Sequence, residues 1–408
     1  MPIPSSLQDA LQIEKSVERI HRVRAYIKSD SGVGRLAWLV GLFSALAVAV
    51  GSYQLPQNNW DMLGHLGGAL HFGIEDPVQL HRETYELAKQ TLPADKFLEL
   101  TDGNKERKAW SSDPQAFLQV LPFYEPRVLV TLPTYAAYKV GVNPIFYMRL
   151  QSSVAAGLGV LLFTLILAGY SHALLVFLMP FLALISGVLE VARFEGADAL
   201  SFFGYAIVVF LFLKRSWWTL AILVLLPLTR SDMIIYCVPA LIYFACVFRE
   251  RLLLVALAIA ACLAVFLGVN YAFDNYGWTK QFYVVHMQYL SYPADTTVSF
   301  SFYQYITAVL RGTVHLIINY HFQFFFLMAV IVCSACYMRL RDRGICGVRE
   351  EYALGLCILS IFFVIAHFLV FPIMHTRYFV GQYLHVIVFA AAVVSKWAYG
   401  YRLAHTKQ

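Results

Sequence analysis

Long apolar runs recur from one end of the chain to the other, separated by short polar clusters and by two long mixed segments. Runs of spanning or near-spanning length fall at 36–53, 144–168, 173–189, 199–213, 217–229, 232–248, 252–270, 320–338, 352–371 and 378–396. A helix needs about 20 apolar residues to cross the hydrocarbon. The runs at 199–213 and 217–229 are short for that, a length tolerated where a bundle encloses a water-filled cavity. The pattern predicts an all-α polytopic membrane protein with about ten transmembrane helices.

Composition agrees: 59% of the 408 residues are hydrophobic, 15% aromatic and only 14% charged, and mean hydropathy is +0.62. Soluble domains carry about 45–50% apolar and about 25% charged residues. A water-soluble globule, a disordered chain and a coiled-coil filament are excluded. The net charge of +6 does not point to nucleic acid, because in a membrane chain the placement of Lys and Arg matters more than their sum. Seventeen of the 31 Lys and Arg gather on one side, from Lys15 to Arg35, then at Lys214, Arg215, Arg249 and Arg251, from Arg339 to Arg349, and at Lys396, Arg402 and Lys407. The short loops of the other side hold only Arg193, Arg230, Lys280, Arg311 and Arg377. This bias puts both termini in the cytoplasm. Residues 1–35 read as a cytoplasmic amphipathic segment, with 7–35 a basic helix on the anionic inner leaflet. Residues 36–408 read as one transmembrane domain anchored by an uncleaved first span. The seven cysteines avoid both large external loops, so no disulfide framework is expected there.

Those loops, 54–142 and 271–319, are heavy. Segment 77–100 reads as amphipathic helix broken near Pro93. Its Leu80, Tyr85, Leu87, Phe97 and Leu98 would lie on the outer leaflet, and the polar tract 102–115 would be an exposed, mobile loop. Five polar constellations sit at external ends of spans. They are Asn58-Asn59-Trp60-Asp61 with His65 and His71, Tyr124-Glu125-Pro126-Arg127, the stretch Glu190–Asp198, His375-Thr376-Arg377-Tyr378, and Thr229-Arg230-Ser231-Asp232. Ionisable groups near membrane depth persist where they pair with each other or line a cavity. Single pairs such as Arg230 with Asp232 can be local helix caps. Five such clusters on one side favour a polar cavity open to the external face.

Arginines at the mouth of a bundle suit a phosphorylated amphiphile, since a guanidinium gives bidentate, permanently charged contacts to phosphate. A carboxylate such as Asp61 can take a proton from an attacking hydroxyl. His65, one helical turn on, would tune or orient Asp61. No Walker, H-E-x-x-H or G-x-S-x-G motif and no D-x-D pair occurs. His65, His71 and His81 do not match a metal spacing, so no cofactor is implied, and a divalent metal stays open.

With these residues the chain resembles the GT-C superfamily of integral-membrane glycosyltransferases, which use polyprenyl-phosphate sugars. The resemblance rests on the large loop after one span, with N-N-W-D ending at Asp61, and on FYEPRVLVTLPTYAAYKVG (123–141) closing that loop. It rests also on the acidic patch at Glu195 and Asp198 and on Arg377-Tyr378 before the last span. The large extra-membrane C-terminal domain of some branches has no counterpart in this sequence. The resemblance implies transfer of a sugar from a polyprenyl-phosphate donor to a glycan, lipid or protein hydroxyl, with inversion and with Asp61 as general base. It implies donor-phosphate contacts from Arg377 first, then Arg230, Arg127 and Arg193, and sugar contacts from Glu195 and Asp198. Glu125, Asp232, His375 and Tyr378 would complete the substrate site, with Trp60, Trp110, Tyr124, Trp278 and Tyr378 free to stack on sugar faces. The external loops lack an N-x-[ST] site, which points to a bacterial inner membrane with a periplasmic site. A flippase or lipid-linked-sugar transporter is the rival, though no internal repeat of the transporter kind is evident. A non-catalytic assembly subunit is a weaker one.

Overall fold

The computed structural model describes residues 30–170, 173–342, 348–373 and 375–405. Among them every regular element is helical. The expected amphipathic helix over 7–35 lies outside the described residues as far as residue 29. Five helices are long and apolar enough to cross a membrane: Gly34–Gln54, Pro144–Gly169, Leu252–Ala272, Tyr320–Met338 and Tyr352–Val370. Asp198–Leu213, Trp218–Leu228, Ser231–Val247 and Val380–Ser395 are shorter apolar helices. This is a membrane protein with a helical bundle.

Burial sorts the helices. In the most apolar stretch of Pro144–Gly169, 61% of the residues are buried and this helix is central, whereas in Leu252–Ala272 only 17% are and the helix is peripheral. The bundle core packs Phe163, Phe202, Tyr205, Phe212, Tyr236, Phe363 and Tyr383. The expected continuous span at 173–189 is not formed. It is divided into Ala173–Val176, Met179–Ile185 and Val188–Arg193. The second break is at Gly187, whose φ of +88° suits glycine alone among common residues. A Cβ there would meet the Thr376 side chain at 2.6 Å. The break thus brings the 188–193 turn against the segment that carries Arg377.

A second core builds a cap over one end of the bundle from Trp60, Met62, Leu63, Leu66, Leu80, Tyr85, Trp110, Phe117 and Leu121. Segment 77–100 does break at Pro93, into Pro77–Thr91 and Ala94–Asp102. Its apolar face turns into this cap, with Leu80 fully buried, Tyr85 nearly so, and Leu98 left 61% exposed. Nor is 102–115 a mobile loop. It forms helices Lys105–Ser112 and Pro114–Leu118, whose N-termini are capped by the side chains of Asn104 and Asp113, and it buries Trp110.

The two long loops clasp each other. Trp110 Nε1 donates to the Ser291 carbonyl at 3.1 Å. Tyr292 Oη donates to Asp113 Oδ2 at 2.6 Å, and Gln119 Nε2 to Asp295 Oδ2 at 2.8 Å. The 271–319 segment itself contains helices Gly277–His286 and Phe302–Ile318, the second closed by a Ser301/Gln304 capping box.

Candidate active site

Asp61 opens the Trp60–Leu70 helix, where Asn59 accepts from the Met62 amide as N-cap. A carboxylate in the first turn is favoured by the helix dipole. The same helix carries Gly64, Gly67 and Gly68, and this bare face admits the 117–125 segment. A Cβ at Gly64 would lie 2.6 Å from the Tyr124 ring. The close approach lets Tyr124 Oη donate to Asp61 Oδ1 at 2.8 Å.

The other carboxylate oxygen is held from the far end of the sequence: Arg377 Nη1 donates to Asp61 Oδ2 at 2.9 Å. The Arg377 guanidinium also lies 3.7 Å from Asp198 Oδ2 and 3.9 Å above the Phe194 ring. Asp198 in turn accepts from Arg230 Nη1 at 2.8 Å. Arg230 donates through Nε to Asp232 at 3.1 Å and sits 4.3 Å over the Tyr378 ring. His367 Nε2 closes the chain on Asp232 at 2.9 Å. One line of alternating charges therefore runs from Asp61 into the bundle. Burial tends to raise the Asp61 pKa, but Arg377, then Arg127 and the Tyr124 hydroxyl, outweigh it and hold the carboxyl at about 2.

Asp61 borders a cavity of about 220 Å³ lined also by Trp60, Arg107, Trp110, Tyr124 and Arg127 from the first long loop, Gln281 and Tyr289 from the second, and His375, Arg377 and Tyr378. Trp60 and Trp110 pack ring to ring at 4.4 Å. The wall thus combines aromatic faces, arginines and one carboxylate.

Not every expected site residue reaches this cavity. His65 is fully buried, and its Nε2 faces Arg127 Nη1 at 3.0 Å rather than Asp61. Glu125 is buried behind the Trp60–Leu70 helix and paired with His71. Arg193 donates to the Leu55 carbonyl at 2.6 Å, outside the cavity. Glu195 is 1% exposed and takes the Asn58 amide at 3.0 Å and Arg149 Nε at 3.4 Å. Burial raises its pKa above the usual carboxylate range. Asp198, Arg230 and Asp232 are committed to one another in the charge line. Trp278 donates to the Val370 carbonyl at 2.7 Å and is not part of the wall.

Two partners were not among the expected site residues. His367 ends an apolar helix and offers no sequence motif. Arg149 does give a signal, since an arginine inside a span demands a partner. It donates to Asn58 Oδ1 at 2.7 Å. Asn58, in the left-handed region at φ 52°, thereby ties the strand of chain before Asp61 to the central helix. Among the described residues no group of His, Cys, Asp and Glu is arranged to hold a metal. No protein-family model, curated protein or solved structure matches this chain.

Proposed function

We propose that this protein is an integral-membrane glycosyltransferase of the GT-C type, which moves a sugar from a polyprenyl-phosphate donor to a hydroxyl acceptor. The observation that carries the reading is Asp61, exposed to a cavity walled by tryptophans and arginines at one end of an apolar bundle. The acceptor hydroxyl gives its proton to Asp61 and its oxygen attacks the anomeric carbon. The carbon–oxygen bond to the polyprenyl phosphate breaks, the anomeric centre inverts and the phosphate leaves as an anion. Trp60, Trp110 and Tyr124 supply faces for the sugar.

An apolar groove of about 560 Å³ between the Tyr320–Asp342 and Val348–Val370 helices, lined by residues such as Phe322, Phe326, Ala329 and Ile365, suits an isoprenoid tail. Asn319 Nδ2 donates to Thr376 Oγ1 at 3.2 Å, so the head of the first of these helices stands beside the Arg377 segment. In this reading about ten helices cross a bacterial inner membrane, with both termini cytoplasmic and the cavity facing the periplasm.

The test compares purified wild type with Asp61→Asn on a panel of labelled polyprenyl-phosphate sugars. Wild type is expected to consume one donor, and the variant to turn over about 10²–10⁴-fold more slowly while eluting as the same folded species. Equal turnover by the variant removes the general base. No consumption of any donor by wild type sinks the glycosyltransferase.

A further inference from the structure

The arginines near the cavity differ in what they have left to offer. Arg377 and Arg230 are tied to carboxylates, Arg149 to Glu195 and Asn58, and Arg193 to a backbone carbonyl. Arg107 reaches the Glu99 carbonyl at 3.1 Å. Arg107 and Arg127 both line the cavity without an ion pair among the described residues, and of the two only Arg127 is held by a fully buried side chain. The Arg127 guanidinium carbon lies 5.2 Å from the centre of the Tyr124 ring, and Nη1 meets His65. Among the described residues no carboxylate forms an ion pair with it, and its Nε and Nη2 make no hydrogen bond.

Its hold on His65 is informative. Arginine only donates, so His65 Nε2 must accept, and the ring is neutral with its hydrogen on Nδ1. That Nδ1 is buried and has no hydrogen-bond partner. Burial and then the Arg127 charge keep the ring from taking a second proton. A buried donor left without a partner is destabilising. Stability alone gives no reason for this arrangement. What it achieves is a guanidinium fixed at one corner in the cavity wall, with two of its nitrogens uncommitted.

We propose that Arg127 is the anion-binding residue of the cavity, that His65 is the positioning residue that holds it, and that the ligand is a single tetrahedral oxyanion of the phosphate-ester class. This assignment deepens the lipid-phosphate reading above and rests on it for the ligand's class. It leaves Arg377 to Asp61 and takes from it the role the sequence suggested. Arg127 presents the planar fork that suits two phosphate oxygens.

The test titrates the full chain in detergent with a short-chain isoprenyl phosphate and with the matching uncharged alcohol, following tryptophan fluorescence, since Trp60 and Trp110 border the site. Wild type is expected to prefer the phosphate at least about tenfold, the worth of one charge-assisted hydrogen bond. Arg127→Gln and His65→Phe should erase that preference and leave alcohol binding unchanged, and Arg127→Lys, which keeps the charge without the fork, should fall between. The proposal fails if wild type shows no preference, or if a folded Arg127→Gln retains it. Should Arg127→Gln misfold, undiminished preference in Arg127→Lys together with His65→Phe is the overturning result. Arg127-dependent phosphate binding without any sugar transfer sinks the glycosyltransferase and keeps the anion site. Transfer whose donor KM is untouched by Arg127→Gln does the reverse.

Discussion

The Asp198–Leu213 helix takes part in two polar clusters of different character. At its cap-side end Asp198, Arg230, Asp232 and Arg377 form a charged line. Deeper, Tyr205 Oη on the Asp198–Leu213 helix lies 2.6 Å from Ser360 Oγ and 2.7 Å from His385 Nδ1, within hydrogen-bond reach of both. His385 Nε2 faces the Cys357 sulfur at 3.5 Å. Asp198, Ser201 and Tyr205 follow one helix face, so a single polar seam changes from charged to neutral as it leaves the cavity. The contrast locates where this seam tolerates charge. The charged members of this seam stand at its cap end, each with an opposite partner, and its deeper part uses neutral hydrogen bonds of the kind that join membrane helices.

Single substitutions can break that contrast or sharpen it. The largest expected loss follows Arg230→Met, which leaves Asp198 and Asp232 short of a buried partner. About 3–5 kcal/mol of stability should go, read as a large fall in thermal midpoint in detergent. A variant as stable as wild type would show that the charged end is not a true buried network. Gly64→Ala acts at the wall instead. Its methyl group must displace the Tyr124 ring, at a cost of about 1–3 kcal/mol, and Tyr124 should release Asp61, seen as weaker sugar transfer at equal expression. Tyr205→Phe tests the neutral end. It removes one hydrogen bond and should cost only about 1 kcal/mol. A loss equal to that of Arg230→Met would erase the distinction between the two ends.

The smallest effects lie in pH, and they have opposite signs. The Asp61 carboxyl is held at about 2 against an ordinary 3.8. Its contribution is complete above about pH 4 and disappears as pH falls toward 2, and Asp61→Asn should flatten that acid limb. His71 is raised above 6.5, first by its hydrogen bond to Glu125. Its contribution is complete below pH 6.5 and is lost as pH rises through the raised value. Thermal midpoints from pH 6 to 9, with His71→Gln as control, read this cap contact alone.

The sequence reveals the membrane bundle because apolar run length is a local property. It reveals Asp61 and Arg377 as candidates for the same reason, each standing in a short polar patch. Their meeting across 316 positions is set by tertiary packing that no local pattern encodes. Glu125 and Glu195 look as exposed in sequence as Asp61, yet each is turned inward by a partner, His71 or Arg149, from another segment. The tract around Trp110 misleads because Lys105, Glu106, Arg107 and Lys108 dominate its composition, while one tryptophan decides which way the helix faces. At 173–189 the apolar composition hides the single glycine whose backbone angle ends the helix.

One feature of the charge line reaches into timing. Asp61 stands beside two cations, Arg377 paired with it and Arg127 close by, and both lower its proton affinity. In the proposed reaction, an arriving phosphate cancels the Arg127 charge that helps to depress Asp61. The proton affinity of Asp61 then rises, because one of its two neighbouring cations is masked. An empty site offers an acceptor hydroxyl only a feeble base, and a loaded one offers a stronger base. For the proposed transfer, order of arrival becomes a property of electrostatics: donor first, acceptor second, with no moving lid required to enforce the sequence.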